Sequence, residues 1–390
     1  MKPNFNNTQI AFKHLSNGEL RRALFLFTFI TKPVFVNVGK TLLQLAKAFR
    51  FSYGWIVKNN IFKHFCAGTS VNKCDKTITK LGDHGCYSIL DYSAEGLEGE
   101  ENFDKVRDEI LKTIEVAKIQ HYISFGVFKF TGLCSFSLLE KVSSGAPLSE
   151  KEQQYWHAAK KRAESIYEKA SKQGLSIFVD AEDSWIQPAI DEMVYEMIPL
   201  FNKEKPIVFT TIQMYRIEGI PMLQKLITFA ENHQCIAGVK LVRGAYMENE
   251  RERAFDLKYP SPIHFTKQDT DNAYNEAVAT CISNIDKIHV CVATHNEDSC
   301  MKAIEEMEKQ NLKPGDKRVA FAQLYGMSDH ITFNLAYSGY FVSKYLPYGP
   351  VEKVMPYLVR RAEENSSVSA QSNREIQNFK RELTRRIQLR

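Results

Sequence analysis

The sequence predicts an α/β protein built as a closed (β/α)8 barrel of the TIM type, and three observations support this fold class. Eight short runs rich in β-branched and aromatic residues recur between residues 86 and 347. Segments with a helical apolar period, such as NFDKVRDEILKTIEVAKIQ, separate most of these runs. The runs end on polar or charged side chains. An open doubly wound sheet is the alternative fold that the same alternation allows.

The elements follow one another in a simple order. SNGE at Ser16 to Glu19 fits a capping box, and Pro33 would end the helix that it opens. We predict an N-terminal helical region over residues 1–80, the barrel over 81–373, and a basic amphipathic tail over 374–390. The eight strand candidates are CYSILDY, ISFGVFKF, SIFVDAE, IVFTTIQ, GVKLVRG, VCVATHN, VAFAQLYG and FVSKYLPYG.

Composition and motifs exclude several classes of function. A net charge of +5 over 390 residues is too small to indicate nucleic-acid binding, and no basic stretch interleaved with aromatics crosses the middle of the chain. The eight cysteines form no CxxC pair, which favours buried, reduced thiols. The histidines form no HxxxH or HExxH, so we expect no metal site. Without GxGxxG or GxxxxGK[ST], a Rossmann or P-loop nucleotide site is not expected either.

Polar residues at the strand ends predict one functional site at the carboxyl-terminal end of the barrel. In a parallel barrel all strand carboxyl ends meet at one face, where active sites lie. Lysine and arginine at that face suit an anionic group, and the acidic and neutral residues offer further donors and acceptors. The residues are Asp91, Lys129, Asp180, Gln213, Arg243, Thr294 with His295 and Asn296, Gln323 and Tyr345.

An amphipathic helix is predicted after the last strand, and it carries two adjacent arginines. Its apolar residues recur from Val351 with helical spacing, so Arg360 and Arg361 point about 100° apart. One interpretation is a surface pair between Arg360 and Glu364. The other places this C-terminal helix over the barrel mouth, where the two guanidinium groups bind a carboxylate.

Several stretches resemble proline dehydrogenase, the flavoenzyme family that begins proline catabolism. Along the chain, and in the order of the family, they are ILDYSAEG, FGVFKF, FVDAEDSW, TTIQMYR, KLVRGAYMENE, ATHNEDS, FAQLYGMSDH and KYLPYGPVEKVMPYLVRRAEEN. The resemblance implies a (β/α)8 barrel that binds FAD without covalent attachment. It also implies oxidation of L-proline to Δ1-pyrroline-5-carboxylate by hydride transfer from proline C5 to flavin N5. With no aldehyde dehydrogenase module after the barrel, the chain is similar to the monofunctional enzymes.

The resemblance also implies roles for individual residues. Asp180 and Lys240 would be catalytic, with the Lys240 cation beside flavin N5 and N1. Many bacterial members carry arginine in place of Lys240. The lysine keeps the positive charge but lacks the planar, multidentate guanidinium group. Substrate contacts would come from Lys129, Leu241, Tyr246, Tyr345, Arg360, Arg361 and Glu364. Flavin contacts would come from Ala181, Gln213, Lys240, Arg243, Gly244, Ala245, Thr294, His295, Asn296 and Gln323.

Three alternatives remain. Relatives that prefer hydroxyproline tend to carry a smaller residue where Tyr345 stands, so Tyr345 favours proline, and hydroxyproline or another cyclic imino acid is the alternative substrate. A second alternative is a non-catalytic barrel. The third is a barrel enzyme for a phosphorylated substrate, which is disfavoured because LYGMSDH and LPYGPVEKV each carry a single glycine.

The resemblance further implies a membrane quinone as electron acceptor, and therefore peripheral membrane contact. The tail stripe of Ile376, Phe379, Leu383 and Ile387 fits a basic amphipathic helix on an anionic bilayer and equally a packed terminal helix. The N-terminal apolar helices are a second candidate for this contact. The N-terminus shows no convincing leader sequence, which favours a bacterial cytoplasmic enzyme at the inner membrane, with the mitochondrial matrix or inner membrane as the alternative.

A truncation tests the tail. If the tail binds the bilayer, a chain ending at residue 373 should lose its binding to anionic liposomes, because the basic apolar stripe is then gone. Cosedimentation measures this binding, and unchanged binding would rule out the tail as its cause.

Overall fold

The computed structural model describes residues 2–30, 61–93, 98–367 and 369–388. Eight strands form a closed barrel in chain order, and their pairing is parallel, which confirms the predicted fold class and rules out the open sheet. Each predicted run coincides with one strand, although β5 begins one residue and β6 two residues before its run. The strands are β1 Tyr87–Tyr92, β2 Ile123–Lys129, β3 Ser176–Asp180, β4 Val208–Gln213, β5 Ala237–Val242, β6 Ile288–Ala293, β7 Val319–Leu324 and β8 Val342–Tyr348.

Helices precede, connect and follow the strands. Those before β1 are α1 Thr8–Ala11, α2 Asn17–Ile30, α3 Lys63–Phe65 and α4 Asp75–Gly82. Those between β1 and β8 are α5 Glu100–Ile119, α6 Phe136–Ser143, α7 Glu150–Gln173, α8 Gln187–Phe201, α9 Gly219–Asn232, α10 Met247–Leu257, α11 Lys267–Ser283, α12 Glu297–Lys309 and α13 Asp329–Tyr337. Two helices follow β8, namely α14 Val351–Ser367 and α15 Ser369–Gln388.

The chain divides into two compact units. One contains residues 1–96 and 323–390, and the other contains residues 97–322. The first therefore holds β1 and β8 with the N-terminal and C-terminal helices, whereas the second holds β2 to β7 with the helices that connect them. The domain boundaries predicted at residues 80 and 373 stay predictions.

The capping box predicted before α2 is present. The Ser16 hydroxyl accepts from the Glu19 backbone N–H at 3.2 Å, and the Glu19 carboxylate accepts from the Ser16 N–H at 2.8 Å. These two bonds satisfy N–H groups that the first helical turn leaves without an intrahelical acceptor. Pro33, predicted to end this helix, lies outside the described residues.

The C-terminal helix α15 uses its apolar stripe for packing within the first unit. Phe379 is buried, and its ring centroid lies 5.1 Å from Phe12 and 5.6 Å from Phe27. The Arg386 guanidinium donates to the backbone carbonyls of Phe12 at 2.7 Å and Leu15 at 2.8 Å. Of the two interpretations of the tail, the contacts therefore favour the packed helix. Within the described ranges, no helix combines the length and apolarity needed to cross a bilayer.

Aromatic rings fill the interior of the second unit. The Phe125 and Phe178 rings stack with centroids 4.4 Å apart, and Phe209 meets Phe178 edge-on at 5.3 Å. A side chain at Gly238 would place its Cβ 2.6 Å from the Phe209 ring, so only glycine allows this approach. Large rings on β2 to β4 and a missing side chain on β5 thus complement each other.

All eight cysteines are buried and free, as predicted. Burial raises the pKa of several of these thiols, that of Cys74 to about 12. Because the thiolate is the reactive form, these side chains are unreactive at neutral pH.

His64 makes the stability of the first unit depend on pH. Its Nε2–H donates to the Gly326 carbonyl at 2.9 Å, and burial lowers the pKa of His64 from 6.5 to about 4. The unfolded chain therefore binds a proton at a higher pH than the folded chain. The free energy of unfolding should fall as pH drops through this interval, by up to about 1.4 kcal/mol per pH unit.

Urea denaturation at a series of pH values measures this effect. His64→Gln should flatten the dependence, because glutamine donates the same hydrogen bond without titrating. His157→Gln, at an exposed position of α7, is the matched control and should leave the dependence unchanged. An identical slope in His64→Gln and the wild type would contradict the assignment.

Candidate active site

In the second unit, charged residues from β2, β3 and β5 lie close to one another. Lys129 and Asp180 are the last residues of their strands and pair in register. The Lys240 ammonium forms an ion pair with the Asp180 carboxylate, and 6% and 15% of these side chains are exposed. Water screens so enclosed a pair poorly, so the two groups hold each other in place. The Lys240 Nζ also lies 5.3 Å from the centroid of the Phe178 ring.

Arg243 follows β5, and three side chains hold its guanidinium. It donates to Asp271 at 2.7 Å, to the Thr294 hydroxyl at 2.7 Å and to the Ser299 hydroxyl at 2.9 Å. Its Cζ lies 4.4 Å from the centroid of the Tyr274 ring, so the plane of the guanidinium is also supported by a cation–π contact. Arg243 is therefore a rigid cationic donor at the end of β5.

Asp271 is the acid that balances Arg243. Burial raises the pKa of Asp271, but hydrogen bonds from Lys267 and Arg243 outweigh burial and hold that pKa below its ordinary value. Asp271 is therefore ionised at neutral pH. Its position on α11 carries no motif that marks it in the sequence.

Gln213 and Gly244 shape the backbone after β5. The Gln213 amide donates to the Glu182 carbonyl at 2.8 Å and accepts from the Ala245 N–H at 3.1 Å. Gly244 has a φ of +142°, and a Cβ there would lie 2.5 Å from the Tyr215 ring. Only glycine tolerates both the positive φ and the close approach to the Tyr215 ring, so the backbone of residues 243–245 can pack against Tyr215.

Two buried acids near these strand ends were not predicted. Glu182 accepts from the Thr131 N–H at 3.0 Å and from its hydroxyl at 2.6 Å. Burial raises the pKa of Glu182, although Lys129 and the Thr131 hydrogen bonds oppose the rise. Glu250 accepts from the N–H of Ser184 at 2.7 Å and from its hydroxyl at 2.6 Å, and so joins α10 to the loop after β3. Their one sequence signal was membership of the FVDAEDSW and KLVRGAYMENE stretches.

The other residues predicted for the second unit have mixed placements. Asn296 caps α12, where its side chain accepts from the Ser299 N–H at 2.9 Å. Leu241 has no exposed surface and, as the residue after Lys240, points to the opposite face of β5. The structure thus does not bring Leu241 together with the Lys240 and Asp180 side chains. Ala181, Tyr246 and His295 are partly buried.

The remaining predicted residues lie in the first unit. Gln323, at 2% exposure, accepts from the Thr332 hydroxyl at 2.8 Å, and Tyr345 on β8 is partly buried. On α14, Arg361 is 8% exposed with its Cζ 5.2 Å from the centroid of the Tyr357 ring, and Arg360 is partly buried. The side chain of Glu364 lies outside the described residues.

Comparisons with known proteins agree on one family. A family profile described as proline dehydrogenase matches residues 74–374. The chain is 33% identical over 397 residues to "Proline dehydrogenase 1, mitochondrial" of Dictyostelium discoideum, over 90% of this chain and 68% of that protein. It is 28% identical over 413 residues to "Hydroxyproline dehydrogenase" of Xenopus laevis, over 96% of this chain and 89% of that protein.

One solved structure shows the same fold. It is proline utilization A from Bdellovibrio bacteriovorus inactivated by N-propargylglycine, with a TM-score of 0.70 and 21% identity. The match covers 80% of this chain and 33% of that one, so this chain spans about a third of the solved protein. At this identity the likeness concerns the fold alone.

Proposed function

The chain belongs to the proline dehydrogenase family, and we propose on this basis that it oxidises L-proline to Δ1-pyrroline-5-carboxylate with FAD as hydride acceptor. The observation that carries the proposal is the family match over residues 74–374, which contains every residue that we assign to the site. In the reaction proline C5 loses a hydride and the ring nitrogen loses a proton, which forms the C=N bond.

The strand-end residues fit a flavin dinucleotide. Its pyrophosphate is anionic and requires fixed N–H donors. Among the described residues, Arg243 uses three of its five N–H donors, and 23% of its side chain is exposed, which leaves two donors for phosphate oxygens. The residues that we propose to hold FAD are Ala181, Gln213, Lys240, Arg243, Gly244, Ala245, Thr294, His295, Asn296 and Gln323.

Lys240 and Asp180 are the proposed catalytic pair. When bound, FAD supplies the acceptor of the hydride. The Lys240 ammonium would stabilise the negative charge that develops on that acceptor. Asp180 would keep the ammonium in one orientation, because the two groups form an ion pair with little exposure to water. No reorganisation of this cation would then be needed during the reaction.

The substrate carboxylate is proposed to bind the two arginines of α14. Guanidinium groups bind carboxylates through paired N–H donors, and Arg360 and Arg361 point in different directions from one helix. Lys129 would add positive charge, and Glu364 would order the arginines. The apolar wall around the proline ring would come from Tyr246 and Tyr345. Leu241, which the resemblance also implied, faces away from Lys240 and Asp180 and is left out of this wall. Such a pocket orients C5 and excludes water.

Oxidation of hydroxyproline is the second candidate. It is favoured by the Xenopus laevis relative named hydroxyproline dehydrogenase, which matches over 96% of this chain. The two candidates use the same hydride chemistry, and they differ in the space available beside the proline ring. Tyr345 is the residue that we propose decides between them.

A membrane quinone is the proposed final electron acceptor, reached by peripheral membrane contact. Three of the four apolar residues of the α15 stripe are packed, and Ile387 alone of the four is exposed. The N-terminal helix α2 is therefore the better candidate for this contact. Phe25 and Phe29 of α2 are 59% and 39% exposed, and their rings lie 4.5 Å apart. We propose the inner face of a bacterial membrane as the location, and the D. discoideum relative supports the mitochondrial alternative by its name.

Arg361→Met tests the carboxylate clamp. Loss of a charge-assisted hydrogen bond costs about 1.5–3 kcal/mol, so kcat/KM for L-proline should fall about 10- to 150-fold. Steady-state assays with an artificial electron acceptor measure this change. Lys353→Met, at an exposed position of the same helix, is the matched control and should leave kcat/KM unchanged. An unaltered kcat/KM in Arg361→Met would remove this arginine from the site.

Tyr345 should set the preference between the two substrates. The wild type should favour L-proline over trans-4-hydroxy-L-proline by about tenfold or more in kcat/KM, because a ring hydroxyl beside Tyr345 lacks space. Tyr345→Ser should bring the two values closer together. Comparable values in the wild type would reject the first candidate in favour of the second.

A further inference from the structure

β8 carries a lysine with no exposed surface immediately before Tyr345. Lys344 is 0% exposed. Lysine is almost never fully buried unless its charge is paired, so the surroundings of Lys344 should show what it binds. Consecutive strand residues point to opposite faces, so the side chains of Lys344 and Tyr345 leave β8 in opposite directions.

Among the described residues, the Lys344 ammonium has three acceptors, which lie between the last residue of β7 and the first residue of α13. Its Nζ lies 2.8 Å from the Asp329 carboxylate and 3.3 Å from the Leu324 carbonyl. It also donates to the Met327 carbonyl. An ammonium has three N–H donors, and these acceptors account for all of them. Lys344 therefore attaches β8 to the turn after β7.

Asp329 connects this attachment to the N-terminal helices. Its second carboxylate oxygen lies 3.3 Å from Nε2 of His14, which follows α1. Burial lowers the pKa of His14, so the imidazole is neutral at pH 7 and donates through Nε2–H. Burial alone would raise the pKa of Asp329, but Lys344 and His14 hold it well below its ordinary value. Asp329 therefore stays ionised and binds both partners.

The same turn bonds directly to the Tyr345 backbone. The Tyr325 N–H donates to the Tyr345 carbonyl at 2.9 Å. On its other side the turn is held by Glu375 of α15, a buried carboxylate that accepts from the Ser328 N–H. The position of Tyr345 thus depends on the turn, and the turn depends on Lys344 and Asp329.

We propose that Lys344 and Asp329 are positioning residues for substrate recognition, because their buried ion pair fixes β8 and the turn after β7 and so sets the orientation of the Tyr345 side chain. The inference rests on the proposed function, in which Tyr345 contacts the proline ring. Neither residue touches the substrate, and both act through Tyr345.

The test replaces both charges at once. Asp329→Asn with Lys344→Met leaves no unpaired charge in the interior, so the protein should fold. KM for L-proline should rise about fivefold, because interaction energies between residues of one hydrogen-bonded network are of this size. The change in kcat should be smaller. In a Tyr345→Ala background the same double substitution should leave KM unchanged. A purely structural role would instead lower the melting temperature and leave KM alone in both backgrounds.

Lys344→Arg is the second variant, because it keeps the charge balanced while altering the donor geometry, and it too should raise KM. The control is Arg162→Met with Glu100→Gln, which should leave KM unchanged. It removes the 2.6 Å ion pair between a buried arginine and a partly exposed glutamate, together with the 2.8 Å contact of Arg162 with Asp104. Wild-type protein that does not oxidise L-proline would overturn the proposed function and this inference together. Active wild type with unchanged KM in both variants, or with the same rise in the Tyr345→Ala background, would overturn this inference alone.

Discussion

Parallel closure of the barrel is the constraint on which the rest of the structure depends. Strands that all run parallel end on the same side, so residues distant in sequence come together after them. Within residues 97–322, this closure places Lys129 beside Asp180 in register and brings Lys240, two strands further on, into contact with Asp180. The interior below carries the rings and the glycine that allow the strands to approach.

Two cations of this unit, one within β5 and one just after it, are each balanced by an acid of the same unit. Lys240 pairs with Asp180, and Arg243 pairs with Asp271. Ion pairs with little exposure gain little net stability, since desolvation offsets the attraction. Their value lies in preorganisation, because donors that are already oriented cost less conformational entropy when a ligand binds.

Local patterns predicted the fold and the strand ends, whereas partnerships required the structure. Strand candidates were recognisable from β-branched and aromatic residues, and the Ser16 cap from its spacing. Asp271, by contrast, is one acid among many on a helix, and contacts such as that between His14 and Asp329 join segments far apart in sequence. No periodic pattern in the sequence indicates a contact between such distant segments. The stripe of α15 fits two environments equally, and only its packing distinguishes them.

The decisive measurement is the visible spectrum of the purified protein after incubation with FAD, recorded before and after anaerobic addition of L-proline. The flavin spectrum should bleach when proline is added, because the hydride from C5 reduces the bound cofactor. A flavin spectrum that proline leaves unchanged would contradict the assigned substrate. A protein that takes up no FAD would contradict the assigned cofactor and favour a non-catalytic barrel.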